Sequence, residues 1–298
     1  MRIRTLLLLL LVASLAIFGA TALAQTDVVR TDGVVYRHVD ERALHIDFCR
    51  PAGEGVFPCV VCIHGGGWQK GNYRDMRPVT ELLAKNGFAA ATIQYRLAPE
   101  HRFPAQIEDC RAAVRFLRTN AREFQIDADR IGVVGASAGG HLATLLGLSE
   151  DSDRFGDELV GQPSSAVCAV INFYGAMDFR AWRLSPAGEA ACRVGFDGKD
   201  LNGVIADFLG TDDRQAPVMT QATAATYADS DDPPVLTFQG TADVLVPVAE
   251  ARRFHQALLA AGVDSQLVEY PGANHGFGGE HLKQAAEKSL EFLTKHLK

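Results

Sequence analysis

The stretch of this chain best suited to covalent chemistry is Gly135-Ala136-Ser137-Ala138-Gly139, a serine with a glycine two residues away on either side. Ile131, Gly132, Val133 and Val134 read as a short buried strand before it. From Ala138 onward, Leu142, Leu145 and Leu146 recur at helical spacing. A serine at such a junction is held in a strained backbone conformation that lifts its hydroxyl clear of a sheet. Strand and helix nearly touch there, so the residues two before and two after must be very small. Gly135 and Gly139 meet that requirement.

A second stretch, His64-Gly65-Gly66-Gly67-Trp68, directly follows an apolar run ending Val60-Val61-Cys62-Ile63. Consecutive glycines let the backbone fold back so that its N–H groups point into a cavity. Acyl chemistry needs such donors, because the carbonyl oxygen under attack becomes an oxyanion, and each pre-aimed donor lowers the barrier by roughly 3–4 kcal/mol. A phosphate cradle is the competing reading, but no Gly-Lys-Ser/Thr follows and the G-x-G-x-x-G frame is missing.

Two more reactive side chains lie downstream. Pro234-Val235-Leu236-Thr237-Phe238 reads as a strand leading to Asp243, and Gln266-Leu267-Val268-Glu269-Tyr270 as another leading to Gly272-Ala273-Asn274-His275-Gly276. Each places its residue in a loop after a strand, on the edge where the serine sits. The chain order Ser, Asp, His is that of the α/β-hydrolases and differs from the two other orders known among serine proteases.

On these residues the chain resembles the hormone-sensitive-lipase-like esterases of the α/β-hydrolase fold, close to bacterial feruloyl and acetylxylan esterases. HGGGW at 64–68, YRLAPEHRFPA at 95–105, GASAGGHLA at 135–143, DPPVLTFQGTADVLVP at 232–247 and HGF at 275–277 carry the resemblance. It departs from the lipase-like group at Ala136, where that group usually has Asp. It also lacks room before His64 for the long helical cap common there. Both departures lean toward the acetylxylan and feruloyl side.

Ser137 reads as the nucleophile, since its hydroxyl needs a base to take its proton. His275 reads as that base and Asp243 as the acid that holds the imidazole tautomer. The resemblance implies an oxyanion hole made by the N–H groups of Gly66, Gly67 and Ala138, with Gly65 serving the turn. His141, one helical turn after Ser137, is badly placed to act as base. His64 reads as a pin for the glycine loop, and His255 as a residue of an exposed helix. Asp212, Asp213 and Glu250 compete with Asp243, but none follows a strand so directly. The loop Tyr95-Arg96-Leu97-Ala98-Pro99-Glu100 is expected to brace the glycine turn, with Arg96 and Glu100 as an ion pair.

Composition bounds the remaining classes. The chain has 298 residues and a formal net charge of −7. Arg2 and Arg4 precede an apolar run from Leu6 to Phe18 and then Ala22-Leu23-Ala24, the pattern of a signal peptide cleaved after Ala24. Residues 1–24 are therefore expected to leave, and residues 25–298 to form one domain, secreted or periplasmic. An uncleaved anchor is the alternative for the leader. Loss of its two arginines makes the charge −9. An acidic chain without basic runs argues against nucleic acid and against anionic membranes as partners. The cysteines number six. Cys59 and Cys62 share a strand at odd spacing, which sends them to opposite faces and forbids an easy bridge. Cys110 falls on a helical stripe and Cys168 in a strand, while Cys49 and Cys192 are left open. Zinc spacing is absent, so the chemistry is expected to need neither metal nor cofactor.

The elements that must position these residues alternate. Residues 28–37 and 44–49 read as two edge strands, and from Phe57 strand and helix alternate as in a mostly parallel sheet covered on both faces. Met76, Val79, Leu82 and Leu83 mark a helix stopped by Asn86-Gly87. Residues 88–93 form a strand, and Ile107, Cys110, Val114 and Leu117 stripe the next helix. Residues 167–173 are a strand, and Leu282, Ala286, Leu290, Leu293 and Leu297 stripe a final helix. Between 176 and 232 the alternation breaks into a Gly- and Asp-rich stretch with isolated aromatics, expected to form a small lid over the active edge. Trp182 within it and Trp68 beside the glycines are the candidate substrate contacts.

The resemblance implies a serine carboxylesterase acting through an acyl-enzyme on short-acyl or aromatic esters, small or linked to a plant polysaccharide. An exopeptidase on the same fold would need an acidic anchor for an α-amino group, and no suitable pair is visible. A non-enzymatic binding protein would tend to lose one of the three reactive residues, and all three are present.

Overall fold

A computed structural model describes residues 27–149, 155 and 163–298, so the expected leader at 1–24 lies outside the described residues. The chain begins with an antiparallel hairpin, β1 (Val28–Val39) and β2 (Arg42–Pro51). Alternation follows: β3 (Phe57–Ile63), α1 (Arg77–Lys85), β4 (Ala89–Ile93), α2 (Ala105–Thr119), the short α3 (Ala121–Phe124), β5 (Ile126–Ala136) and α4 (Ala138–Leu148). After β6 (Val170–Phe173) come α5 (Pro186–Gly195), α6 (Leu201–Leu209) and α7 (Pro217–Gln221), then β7 (Val235–Gly240), α8 (Val248–Ala261), β8 (Ser265–Tyr270) and α9 (Gly279–Leu297).

The strands form one eight-stranded sheet in the order β1-β2-β4-β3-β5-β6-β7-β8. Pairing is antiparallel from β1 to β4 through β2 and parallel everywhere else. A parallel sheet buries both faces, so its strands are continuously apolar. In β3, Cys59, Val61 and Ile63 pack on one side with Ile107 and Val114 of α2 and Leu142 and Leu145 of α4. Val60 and Cys62 pack on the other with Leu83 of α1 and Leu293 and Leu297 of α9. The two cysteines thus face opposite layers, as their odd spacing requires.

Two expectations need correction. Of the two strands expected at an edge, β1 alone lies there: β2 is inside the sheet, pairing Ile46 with Val34 on one side and with Ile93 on the other. Of the polar residues that alternate with its apolar ones, His45 is half-buried and Asp47 is buried, ion-paired to Arg74 and Arg77. The strand expected over 167–173 begins at Val170. Cys168 therefore sits ahead of it, half-buried, with its thiol donating to the Asp129 carbonyl.

The stretch between β6 and β7 is helical and locally well specified. Ser185 caps α5 by accepting from Gly188 N–H, with Pro186 at the first helical position. Asp200 caps α6 through Gly203 N–H, and Gly210 ends it in a left-handed conformation. These helices stand over the carboxyl ends of the parallel strands, where open α/β sheets carry their sites.

Candidate active site

Ser137 sits between the end of β5 and the start of α4 with φ 55° and ψ −119°. A non-glycine residue there is strained and persists only where its surroundings hold it. Ser137 N–H donates to the Phe173 carbonyl at 2.8 Å, and the Ser137 carbonyl accepts from His141 N–H at 3.0 Å. The flanking glycines are needed for close approach: a Cβ on Gly135 would collide with the Gly139 backbone, and one on Gly139 with the carbonyls of Ile63 and His64.

The structure brings Ser137, His275 and Asp243 together from three loops. Ser137 Oγ lies 2.9 Å from His275 Nε2, and His275 Nδ1 lies 2.8 Å from Asp243 Oδ2. A carboxylate only accepts, so Nδ1 carries the proton and leaves Nε2 free to accept from the hydroxyl. Asp243 is buried and fully satisfied. Its Oδ1 accepts from Leu245 N–H (2.9 Å) and Val246 N–H (2.8 Å). Its Oδ2 also accepts from Gln239 Nε2 (3.0 Å). His275 keeps 17 % of its side chain exposed while that of Asp243 is wholly covered, so the imidazole borders the cavity and the acid stays behind it.

The glycine loop runs beside the serine. Gly66 and Gly67 have φ of 116° and 60°. Side chains at either would strike the Lys70 carbonyl or the Phe196 ring. Among the described residues nothing accepts from the N–H groups of Gly66 and Gly67. The Gly66 carbonyl turns away to accept from Gln69 and Lys70. The expected brace is present: Tyr95 Oη donates to the His64 carbonyl (2.9 Å) and Ala98 N–H to that of Trp68 (2.9 Å). His64 stacks on Tyr95 at 4.3 Å, its Nδ1 donates to the Gly65 carbonyl, and burial lowers its pKa. The ion pair expected within the brace does not form. Arg96 turns inward to Asp109 and Glu108, the first a fully buried carboxylate that needs a cation, while exposed Glu100 meets Arg42.

A cavity of about 480 Å³ opens at the serine. Ser137, His275, Ala138 and the three glycines floor it, and Trp182, Leu184, Cys192, Phe196, Leu201 and Val204 wall it. The wall is almost wholly apolar, with Lys70 at one side. Lys70 Nζ lies 4.5 Å over the Phe196 ring and donates to the Gly195 carbonyl, clamping the end of α5 to the glycine loop. Trp182 donates to the Leu245 carbonyl at 3.0 Å. Trp68 borders the cavity but stacks on Phe208 at 4.3 Å and is only 2 % exposed, so it is wall more than free contact. The competing acids are elsewhere: Glu250 is buried on α8 against Arg253.

Sequence reasoning passed over two neighbours. Gln239, at the end of β7, donates to both Asp243 and the Val246 carbonyl. Tyr174, just past β6 with φ 43°, sets its ring edge-on to His275 at 4.7 Å. Burial, with help from Asp243, pushes its pKa up to about 12, so the phenol stays neutral. The position of Tyr174 at the end of a central parallel strand was a usable signal; Gln239 offered none beyond lying four residues before Asp243.

The mostly parallel sheet, the helices on both of its faces and a serine in a strained turn after a central strand define an α/β-hydrolase. Within that fold the chain belongs to the BD-FAE family, whose model matches residues 46–258. It is 34 % identical over 223 residues to Esterase LipC of Mycobacterium tuberculosis, an alignment covering 74 % of this chain and 53 % of that protein. The chain thus spans about half the length of that curated relative. Among solved structures it resembles a truncated carbohydrate esterase from gut microbiota (TM-score 0.74, 26 % identity, covering 91 % of this chain and 98 % of that one). It also resembles the Est2 esterase of Thermogutta terrifontis with propionate bound (TM-score 0.71, 27 % identity, covering 92 % and 95 %).

Proposed function

We propose that the protein hydrolyses carboxylic esters through a covalent acyl-enzyme on Ser137. Its Oγ attacks the ester carbonyl carbon while His275 Nε2 takes the hydroxyl proton, and Asp243 stabilises the resulting imidazolium. The N–H groups of Gly66, Gly67 and Ala138 receive the oxyanion. Collapse breaks the ester C–O bond, and His275 returns the proton to the departing alkoxide. Water then attacks the acyl-serine with His275 again as base, releasing the acid and restoring the serine. The observation that carries this reading is the unbroken hydrogen-bonded line from Ser137 Oγ through His275 to Asp243 at the floor of an apolar cavity.

Short-acyl or aromatic esters suit a cavity of this volume and lining. Acetylated or feruloylated plant polysaccharide is the physiological substrate we favour, because the leader points to export and one similar structure is named a carbohydrate esterase. The wild-type protein should release p-nitrophenol from its acetate in a burst and take a fluorophosphonate on Ser137. Ser137→Ala should fold normally and do neither. Undiminished turnover by that variant would refute the proposal. Acetylated xylan and methyl ferulate, assayed side by side, separate the two polysaccharide-linked chemistries.

A further inference from the structure

One buried side chain outside the proton-transfer line ties together the parts of the site that must keep their spacing. His141 lies one turn after Ser137 on α4 and is fully buried. Its ring has a partner at each nitrogen. Trp68 Nε1 lies 3.1 Å from Nδ1, and Nε2 lies 2.7 Å from the Ala222 carbonyl. An indole N–H only donates and a carbonyl only accepts, so Nδ1 must be bare and Nε2 protonated. A second proton would point at the indole N–H. Burial agrees with this, lowering the His141 pKa to about 4. The rings of Trp68, Phe179 and Phe208 surround it at 5.0–5.9 Å.

The two partners matter because of where they sit. Trp68 directly follows Gly66 and Gly67 and has φ 61°, so the orientation of the Gly67 peptide depends on where Trp68 is held. Ala222 is the C-cap of α7, within the helical stretch above the sheet. One imidazole therefore joins the nucleophile's helix, the glycine loop and the lid. A misplacement on the scale of 1 Å at such a site can cost about 100-fold in rate.

We propose that His141 is a positioning residue for the oxyanion hole: by accepting from Trp68, it fixes the Gly66 and Gly67 amides against Ser137. This rests on the acyl-enzyme reading above.

Three substitutions separate positioning from packing. His141→Asn places a carbonyl oxygen near the position of Nδ1 and keeps an acceptor for Trp68. His141→Gln places its donor near Nε2 and leaves the indole unpaired, and Trp68→Phe removes the indole N–H itself. With p-nitrophenyl acetate, His141→Gln and Trp68→Phe should lower kcat by about tenfold to 100-fold. KM should stay within roughly threefold, as for loss of an interaction made in the transition state. His141→Asn should retain most of kcat. Inhibition by a trifluoromethyl ketone, whose hemiketal oxygen occupies the hole, should weaken in step with kcat/KM, while urea midpoints report stability separately. Unchanged kcat in the Gln and Phe variants, or an equal loss in all three, would overturn the proposal. A wild-type protein that fails to take fluorophosphonate on Ser137 would overturn the acyl-enzyme reading instead, and this inference with it.

Discussion

Asp243 receives four hydrogen bonds on two oxygens, which is all that a carboxylate's lone pairs can accept. That saturation makes Asp243→Asn a sharp test. With Leu245 and Val246 holding the remaining oxygen, the new amide nitrogen must face both Gln239 Nε2 and His275 Nδ1. The imidazole then has to accept at Nδ1 and carry its proton on Nε2, where it cannot take one from Ser137. The expected result is a loss of about 10⁴ in kcat with p-nitrophenyl acetate and a retained circular dichroism spectrum. His141 offers a second test, through stability. Its folded pKa of about 4 lies below the ordinary value of 6.5, so between those pH values the unfolded chain binds more protons. Stability from keeping it neutral is complete above pH 6.5 and is lost as pH falls toward 4, by at most about 3 kcal/mol. Urea midpoints taken from pH 7 to pH 4.5 should fall less steeply for His141→Gln than for the wild type.

Among the elements, the helical stretch between β6 and β7 supplies most of the cavity wall and was the least legible part of the sequence. Phe196 closes α5 and lies so close to Gly67 that a Cβ there would overlap its ring. Phe196→Ala should open the cavity beside the glycine loop and shift preference toward longer acyl groups. In a series of p-nitrophenyl esters, the hexanoate-to-acetate ratio of kcat/KM is expected to rise several-fold, and an unchanged ratio would remove Phe196 from the acyl-contacting wall. The parallel core was readable because its signals coincide: continuous apolar strands, helical stripes such as Ile107, Cys110 and Val114, and small residues where strand and helix touch. The fold and the positions of Ser137, Asp243 and His275 at strand ends followed from these. The helices of 176–232 carried signals too, Ser185 before Pro186 and Asp200 three residues before Gly203, but without strands between them the alternation hid their ends. Long-range partners left no trace at all. Arg96 looked matched to nearby Glu100, whereas burial beneath α2 selects Asp109, and Gln239 reads only as a strand residue until the fold sets Asp243 against it.

Over the whole molecule, the two apolar layers flanking the sheet make covalent staples unnecessary, since a chain of this size buries enough surface without them. All six cysteines lie among the described residues as free thiols, five of them buried. Cys59 and Cys62 are held apart by the sheet itself, and Cys192 lies in the cavity wall with its pKa pushed up to about 11 by burial. The proposed export would expose the chain to oxidising surroundings, where a bridge is permitted. The packing offers none. A native disulfide would stabilise by about 2–4 kcal/mol, and each kcal/mol moves the melting temperature of a domain near this size by about 2–4 °C. Dithiothreitol should therefore leave the melting temperature unchanged. Ellman's reagent should titrate Cys168 alone in the native protein and six thiols in denaturant. A fall in melting temperature on reduction, or fewer than six thiols in denaturant without prior reduction, would mean that two of these side chains meet in solution and that the layers move further than their packing implies.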